Sequence, residues 1–210
     1  DIDSLKLGSY QSFEMGELMS KKNAVMPTLL YLFHVIEKNC DGSPTFIILD
    51  ECWTFLDNPI FAEKIREWLK TMRKNNVSII FATQNLEDIK KCSISSAIIE
   101  SCMTRFFLPN AQALNQGNEE VYGFFNLNYR ERQIIADSRP KHDYYVVSAE
   151  GKRRFDLALS PYALSILAAS SKDDQAECER IKKSYPDDDF MVHWLEYKGL
   201  RDAKEAYMDL

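Results

Sequence analysis

The stretch Phe46-Ile47-Ile48-Leu49-Asp50-Glu51 places four apolar residues directly before two acids. A continuous apolar run of this kind is typical of a strand buried on both faces of a parallel sheet. In such sheets ligands bind beyond the carboxyl ends of the strands, where the two acids would lie. Asp50 is therefore predicted to hold the water shell of a Mg²⁺ ion, and Glu51 to orient and deprotonate an attacking water. The alternative is a buried strand that ends in a solvated acidic turn.

A helix and a second strand are predicted after this stretch. Asn58 and Pro59 suit the N-cap and the first position of a helix. Apolar residues then recur at helical spacing, namely Phe61, Ile65, Trp68, Leu69 and Met72. Residues 77–82, which are apolar except for Ser78, are predicted to form another strand. Strand, helix and strand within about 38 residues is the size of a βαβ unit, which implies a parallel sheet.

Two polar residues beside this unit are candidates for catalytic roles. Gln84 follows the second strand, where nucleotide-hydrolysing sheets commonly carry a sensor of the γ-phosphate or the water. Its alternative role is a loop amide that caps a helix over residues 85–90. Arg73 ends the charged face of the connecting helix, where positive charge is favourable in any case. It could instead be an arginine finger that reaches the nucleotide of a neighbouring subunit.

The remaining pattern predicts one α/β body over residues 1–170 and a different tail over residues 171–210. Strands are predicted over 10–15, 104–108, 144–148 and 154–159, and helices over 27–39, 94–102 (with Ser93 as cap), 129–137 and 160–169. The tail holds seven basic and eleven acidic residues, and therefore four of the six net negative charges. It still carries large apolar side chains, which favours helices over disorder.

Composition excludes several classes of protein. Hydrophobic residues at 45% and charged residues at 28% indicate an ordinary globular chain. The net charge of −6 gives no global basic surface for nucleic acid. No apolar run approaches the roughly 18 residues of a membrane span, and the start at Asp1 lacks the pattern of a signal peptide. Five cysteines without a CxxC pair predict reduced thiols and offer no paired ligands for zinc.

A phosphate-binding loop of the form G-x-x-x-x-G-K-[ST] does not occur in the sequence. Without the backbone amides and lysine of that loop, a strand ending in two acids cannot cradle phosphates. Two expectations remain open. Either the loop lies upstream of Asp1, which the missing initial Met favours, or the chain is not a working NTPase.

Several stretches occur in a fixed order with characteristic spacing. They are residues 31–37, Ile48-Leu49-Asp50-Glu51-Cys52-Trp53, residues 67–76, Phe81-Ala82-Thr83-Gln84, Phe107-Leu108-Pro109-Asn110 and residues 144–148. Together they resemble the CagE/TrbE/VirB family of type IV secretion ATPases, and the agreement extends from about residue 10 to residue 169. Cys52 departs from the small Ala that the family usually has there, but it is small enough to fit.

The resemblance implies the C-terminal half of a RecA-like P-loop NTPase sheet, with the P-loop upstream. It does not extend to the acidic helical tail over residues 171–210, which is predicted from composition alone. It implies an ATP- and Mg²⁺-dependent hexamer at the cytoplasmic face of the bacterial inner membrane. Such a motor would power substrate transfer and pilus assembly beside other secretion components, including the coupling protein. The family's Walker B acids correspond to Asp50 and Glu51, its sensor to Gln84, and an arginine acting in trans to Arg73. Arg105 is a weaker candidate for a phosphate or subunit contact.

Two alternatives stay open. One is a DNA-translocating coupling protein of the related FtsK/HerA branch, for which a pore rich in Lys and Arg is expected and the acidic charge is unfavourable. DNA therefore remains a possible partner that the charge does not indicate. The other is an inert scaffold that kept the fold and lost the P-loop. Trp53, Trp68 and the tail would then form a docking surface, although the position of Trp68 in the apolar stripe favours the core.

Overall fold

The computed structural model describes residues 8–185 and 189–208. Its helices are α1 (Gly16–Ser20), α2 (Lys22–Asn39), α3 (Trp53–Leu56), α4 (Pro59–Thr71), α5 (Leu86–Lys91), α6 (Ser95–Ser101), α7 (Asn118–Phe124), α8 (Tyr129–Ala136), α9 (Pro161–Leu167), α10 (Lys172–Ser184), α11 (Phe190–Tyr197) and α12 (Arg201–Met208). Its strands are β1 (Thr45–Leu49), β2 (Val77–Phe81), β3 (Arg105–Phe107), β4 (Asp143–Ser148) and β5 (Gly151–Asp156). A short 3₁₀ helix over Met72–Asn75 extends α4.

The chain divides into two compact units. The first contains the residues up to 140 together with 145–154, and the second contains 141–144 together with the residues from 155 onward. Helix α9, which the sequence analysis assigned to the α/β body, therefore groups with the later helices. The predicted domain boundary at residue 170 stays a prediction. Within the described residues, no helix combines the length and the apolar character needed to cross a membrane.

The predicted βαβ unit is confirmed. Strands β1 and β2 are parallel, with Thr45 opposite Val77 and Leu49 opposite Phe81. Helix α4 begins as the sequence predicts, because the Asn58 side chain accepts a hydrogen bond from the Ile60 N–H at 3.0 Å and Pro59 occupies the first turn. The apolar stripe of α4 lies in the core, where Phe61, Ile65, Trp68 and Met72 are each at most 2% exposed.

Burial of β1 on both faces was predicted, and this is wrong for the described structure. Ile47 and Leu49 lie in the core, whereas Phe46 and Ile48 on the other face are 71% and 65% exposed. The described helices cover only one face of the two strands, and alternate side chains of a strand point to opposite faces. A run of apolar residues predicts the strand but does not show whether a second layer covers it.

Three further expectations need correction. Residues 10–15 carry no strand and lead into α1, since a short segment without a partner strand gains no ladder of hydrogen bonds. Helix α2 begins at Lys22, so Pro27 lies inside the helix and not in its first turn. Helix α6 starts at Ser95 without a side-chain cap, because a turn closed by the Ser95 N–H and the Cys92 carbonyl (3.2 Å) leaves Ser93 outside the helix.

The second sheet has the order β3-β4-β5, and β3 and β4 are antiparallel. It contains the strands predicted over 104–108, 144–148 and 154–159, with small shifts of their ends and an earlier start of β5. Helix α8, predicted over 129–137, lies between β3 and β4 in the chain, whereas α1, α3 and α7 were not predicted. Strands β3 and β4 and helices α3, α7 and α8 share one hydrophobic core with the βαβ unit.

Glu131 ties α8 to this second sheet. Its carboxylate closes a capping box by accepting from the Asn128 N–H at 2.7 Å, and it also accepts from Tyr145 Oη at 3.1 Å and Lys152 Nζ at 2.7 Å. Burial alone would raise the pKa of Glu131, but these donors outweigh it and lower the pKa. Burial and the Glu131 contact raise the pKa of Tyr145 to about 12, so Tyr145 keeps its proton and remains a donor.

We expect Glu131→Gln to lower the free energy of unfolding at neutral pH by about 2 kcal/mol, the scale of hydrogen bonds to a buried charge. Because the folded pKa lies below the ordinary value of 4.5, the carboxylate stabilises the fold above that value. This stabilisation is lost as the pH falls through the folded pKa. Thermal unfolding of wild type and variant at pH 7 and near pH 3.5 measures the difference, with Glu150→Gln in the β4–β5 turn as control. If the variant lost the same free energy of unfolding at both pH values, the result would contradict a stabilising role for the charge of Glu131.

The second unit has its own small core, and its later part is helical, as the sequence predicts for the tail. Ile181 and Leu195 are fully buried, and Trp194 donates through Nε1 to the Ser165 carbonyl at 3.1 Å. Lys198 pairs with Asp174 at 2.5 Å, and this pair lowers the pKa of Asp174. Residues 186–188 of the tail lie outside the described residues.

Candidate functional site

The carboxyl edge of the parallel strands brings the predicted acids and the sensor together. Beyond the strand ends, the Ala82 N–H donates to the Leu49 carbonyl and the Cys52 N–H donates to the Ala82 carbonyl, each at 3.0 Å. The segment after β1 is thereby fixed to the segment after β2. Asp50 and Glu51 on one segment and Gln84 on the other lie at the same edge, as parallel strands require.

Glu51 is the centre of this arrangement. Its backbone has φ = 51°, in the left-handed region that non-glycine residues rarely adopt. Such a conformation costs about 1–3 kcal/mol and is found preferentially at functional sites. The Gln84 side-chain amide donates to Glu51 Oε1, and the Trp53 indole donates to Glu51 Oε2 at 2.8 Å. The predicted base and the predicted sensor are therefore in direct contact.

Asp50 precedes this turn with an exposed side chain, and its Oδ1 accepts from the Glu51 N–H at 3.0 Å. An exposed carboxylate at a strand end fits Mg²⁺, a hard cation that keeps several waters and takes only one or two carboxylates from the protein. Over residues 8–185 and 189–208, no group of three or more His, Cys, Asp or Glu side chains is arranged to hold a metal ion. The Asp50 carboxylate, exposed beyond the end of β1, stays the predicted metal contact at this edge.

Arg73 lies away from these residues. It lies in the 3₁₀ helix that follows α4 and precedes β2, at the amino edge of the two strands, and it is exposed. The five residues of β1 put the two edges about 16 Å apart at about 3.3 Å per residue. Arg73 is therefore too far from Glu51 to serve the site of its own chain. This placement is compatible with the predicted role in trans, which stays a prediction.

Arg105 is held by the main chain. Its guanidinium donates to the carbonyls of Cys102 at 3.1 Å, Ile99 at 2.7 Å and Phe125 at 3.4 Å. Two of these carbonyls belong to the C-terminal turn of α6, where a cation is favourable. The contacts favour a structural role, and the predicted contact of Arg105 with phosphate or a neighbouring subunit stays a prediction.

Trp53 is a member of this candidate site that the sequence did not indicate. It was considered only as a docking surface, yet its indole contacts the predicted general base. Periodicity could not identify it, because its position depends on the left-handed turn at Glu51. The position two residues after Glu51 was the only available signal.

Comparison with known proteins places these observations in a family. A family described as the TraG P-loop domain matches residues 13–150. A protein of Sinorhizobium fredii that is named as a probable conjugal transfer protein TrbE is 44% identical over 98% of this chain. The conjugal transfer protein TrbE of Rhizobium radiobacter is also 44% identical over 98% of this chain. The chain spans only 31% and 25% of the lengths of these two relatives.

A solved structure supports the fold. VirB4 of Thermoanaerobacter pseudethanolicus matches with a TM-score of 0.53 at 19% identity, over 65% of this chain and 37% of that one. At this identity the likeness concerns the fold alone, which is the RecA-like P-loop type predicted from the sequence. The predicted resemblance is confirmed by relatives named TrbE, VirB4 and CagE. The chain therefore belongs to the TraG P-loop domain family, among the type IV secretion proteins related to TrbE, VirB4 and CagE.

Proposed function

We propose that the chain contributes the hydrolytic edge of an ATP-driven motor that energises type IV secretion, in substrate transfer and pilus assembly. One observation carries the proposal, namely the direct contact between Glu51 and Gln84 beyond the ends of two parallel strands. Relatives named as conjugal transfer and type IV secretion proteins support the process in which the motor works.

Each site residue has a defined task in this proposal. Asp50 holds the water shell of Mg²⁺, which supplies electrostatic stabilisation of phosphate charge when it is bound with ATP. Glu51 accepts a proton from the attacking water. Gln84 orients Glu51 through its amide N–H, and its carbonyl oxygen remains an acceptor for the same water. The anchored turn at Cys52 keeps these groups in place before nucleotide arrives.

We further propose an assembly of several copies of the chain. Arg73, at the opposite edge of the strands, would act on the nucleotide site of an adjacent copy, so that the active form is a ring, which we propose to be a hexamer. We place the ring at the cytoplasmic face of the bacterial inner membrane, beside other secretion components that include the coupling protein. The relatives' names support a place among conjugal transfer and type IV secretion proteins.

The direct test is phosphate release from MgATP by the intact gene product. We expect turnover that requires both ATP and Mg²⁺. The 210-residue chain by itself should be inactive, because its sequence holds no phosphate-binding loop. An intact product that does not bind Mg-nucleotide would instead support the scaffold alternative. Turnover stimulated by DNA and falling steeply with salt would support the translocase alternative.

Gln84→Ala tests the sensor. We expect turnover of the intact protein to fall about tenfold, the scale of one hydrogen bond to a charged group, with ATP affinity nearly unchanged. Steady-state kinetics and nucleotide binding measure the two effects separately. The matched control is Gln112→Ala, which removes the same side chain from an exposed position in the loop after β3. Equal turnover of the two variants would show that Gln84 has no role in hydrolysis.

A further inference from the structure

The Glu51 carboxylate is held by two donors that come from different elements. Trp53, the first residue of α3, donates through Nε1 to Oε2 at 2.8 Å, and Gln84, beyond β2, donates to Oε1. The Cys52 N–H bond to the Ala82 carbonyl fixes the residue between Glu51 and Trp53. The indole and the carboxylate therefore meet across a turn that is itself anchored to the neighbouring strand.

The chemistry of indole suits this contact. An indole N–H is only a donor, so Trp53 cannot compete with Glu51 for a proton. A carboxylate has about four lone-pair sites, so it can accept from two donors and from a water at the same time. The ring also has only two side-chain torsions, which limits the entropy lost in holding it.

Trp53 differs in solvent exposure from Trp68, the core tryptophan of the same unit. Trp68 is 0% exposed and fills the core, whereas Trp53 is 39% exposed. Replacing Trp53 by a smaller ring would therefore leave no large cavity. Its most specific interaction is the hydrogen bond to Glu51.

We propose that Trp53 is a positioning residue of Glu51 beside Gln84, and that its indole N–H fixes the carboxylate in the orientation that receives a proton from the attacking water. The inference rests on the proposed function, since it assigns a role relative to a general base. Trp53 itself contacts neither the water nor the nucleotide in this proposal. Its effect on turnover passes entirely through Glu51.

Trp53→Phe in the intact gene product removes the N–H donor and keeps an aromatic ring. We expect kcat for MgATP hydrolysis to fall about tenfold while KM stays within about twofold, because ground-state nucleotide binding does not involve the indole. The matched control is Trp194→Phe, which removes an indole N–H bond to the Ser165 carbonyl (3.1 Å) in the second unit. This control should leave kcat unchanged, and a wild-type kcat for Trp53→Phe would overturn the inference.

A double-mutant cycle distinguishes positioning from packing. In a Glu51→Gln background, adding Trp53→Phe should produce no further loss of turnover, because the base through which Trp53 acts is already absent. A further tenfold loss in that background would show an effect independent of Glu51 and would reject the inference. Undiminished turnover of the Glu51→Gln single variant would reject the proposed general base itself, so the two failures are distinguishable.

Discussion

Glu51→Gln in the intact protein is expected to lower ATP turnover by about a hundredfold or more, the scale of a lost general base. The amide is nearly isosteric with the carboxylate and places the same backbone demand on the left-handed position at φ = 51°. It can still accept a hydrogen bond from Trp53 or Gln84 through its oxygen, but it cannot take a proton from water. Nucleotide affinity should therefore remain close to that of the wild type.

Single-turnover hydrolysis together with nucleotide binding measures these two quantities. Glu150→Gln is the matched control, because Glu150 lies exposed in the β4–β5 turn and undergoes the same chemical change. Near-normal hydrolysis by Glu51→Gln would contradict the assignment. A parallel loss of binding and hydrolysis would indicate a role for Glu51 in holding the nucleotide.

The parts of the fold that the sequence predicts correctly are those that local chemistry determines. Helix α4 begins at Pro59 because Asn58 caps it and ends near the residue that its apolar stripe indicates. The parallel pairing of β1 and β2 follows from the crossover helix. Exposure of the second face of β1 was not predictable, because it depends on whether another layer packs there. The predicted start of α2 was wrong, because a proline can lie inside a helix when packing compensates for the one hydrogen bond that is lost.

The contacts of the candidate site also differ in whether the sequence predicts them. The contact between Glu51 and Gln84 follows from a general rule, since neighbouring parallel strands deliver their next residues to one edge. The contact with Trp53 does not follow from any rule of spacing, because it requires a left-handed residue in the intervening turn. Arg105 shows what the sequence could not indicate, because its donors are directed at carbonyls of its own chain. Its predicted contact with phosphate or a neighbouring subunit stays a prediction.

Arg73→Ala in the intact protein is expected to lower turnover by about a thousandfold, the lower end of the range for an arginine finger. The reason is its position at the amino edge of the strands, from which it could reach only the site of another copy. Arg66→Ala is the matched control, because Arg66 is an exposed arginine of α4 that pairs with Glu63. This control should hydrolyse ATP at nearly the wild-type rate.

Mixing two inactive variants tests whether Arg73 acts between subunits. An Arg73→Ala subunit keeps an intact Glu51, and a Glu51→Gln subunit keeps an intact Arg73. When the two are assembled in equal amounts at random, about a quarter of the heterologous interfaces in a ring pair an intact Glu51 with an intact Arg73. Hydrolysis by the mixture should therefore exceed the sum of the separate variants many times over. Because no single chain in the mixture carries both groups, such a recovery requires that Arg73 of one chain serves Glu51 of another. An inactive mixture that still forms mixed rings would contradict the role in trans.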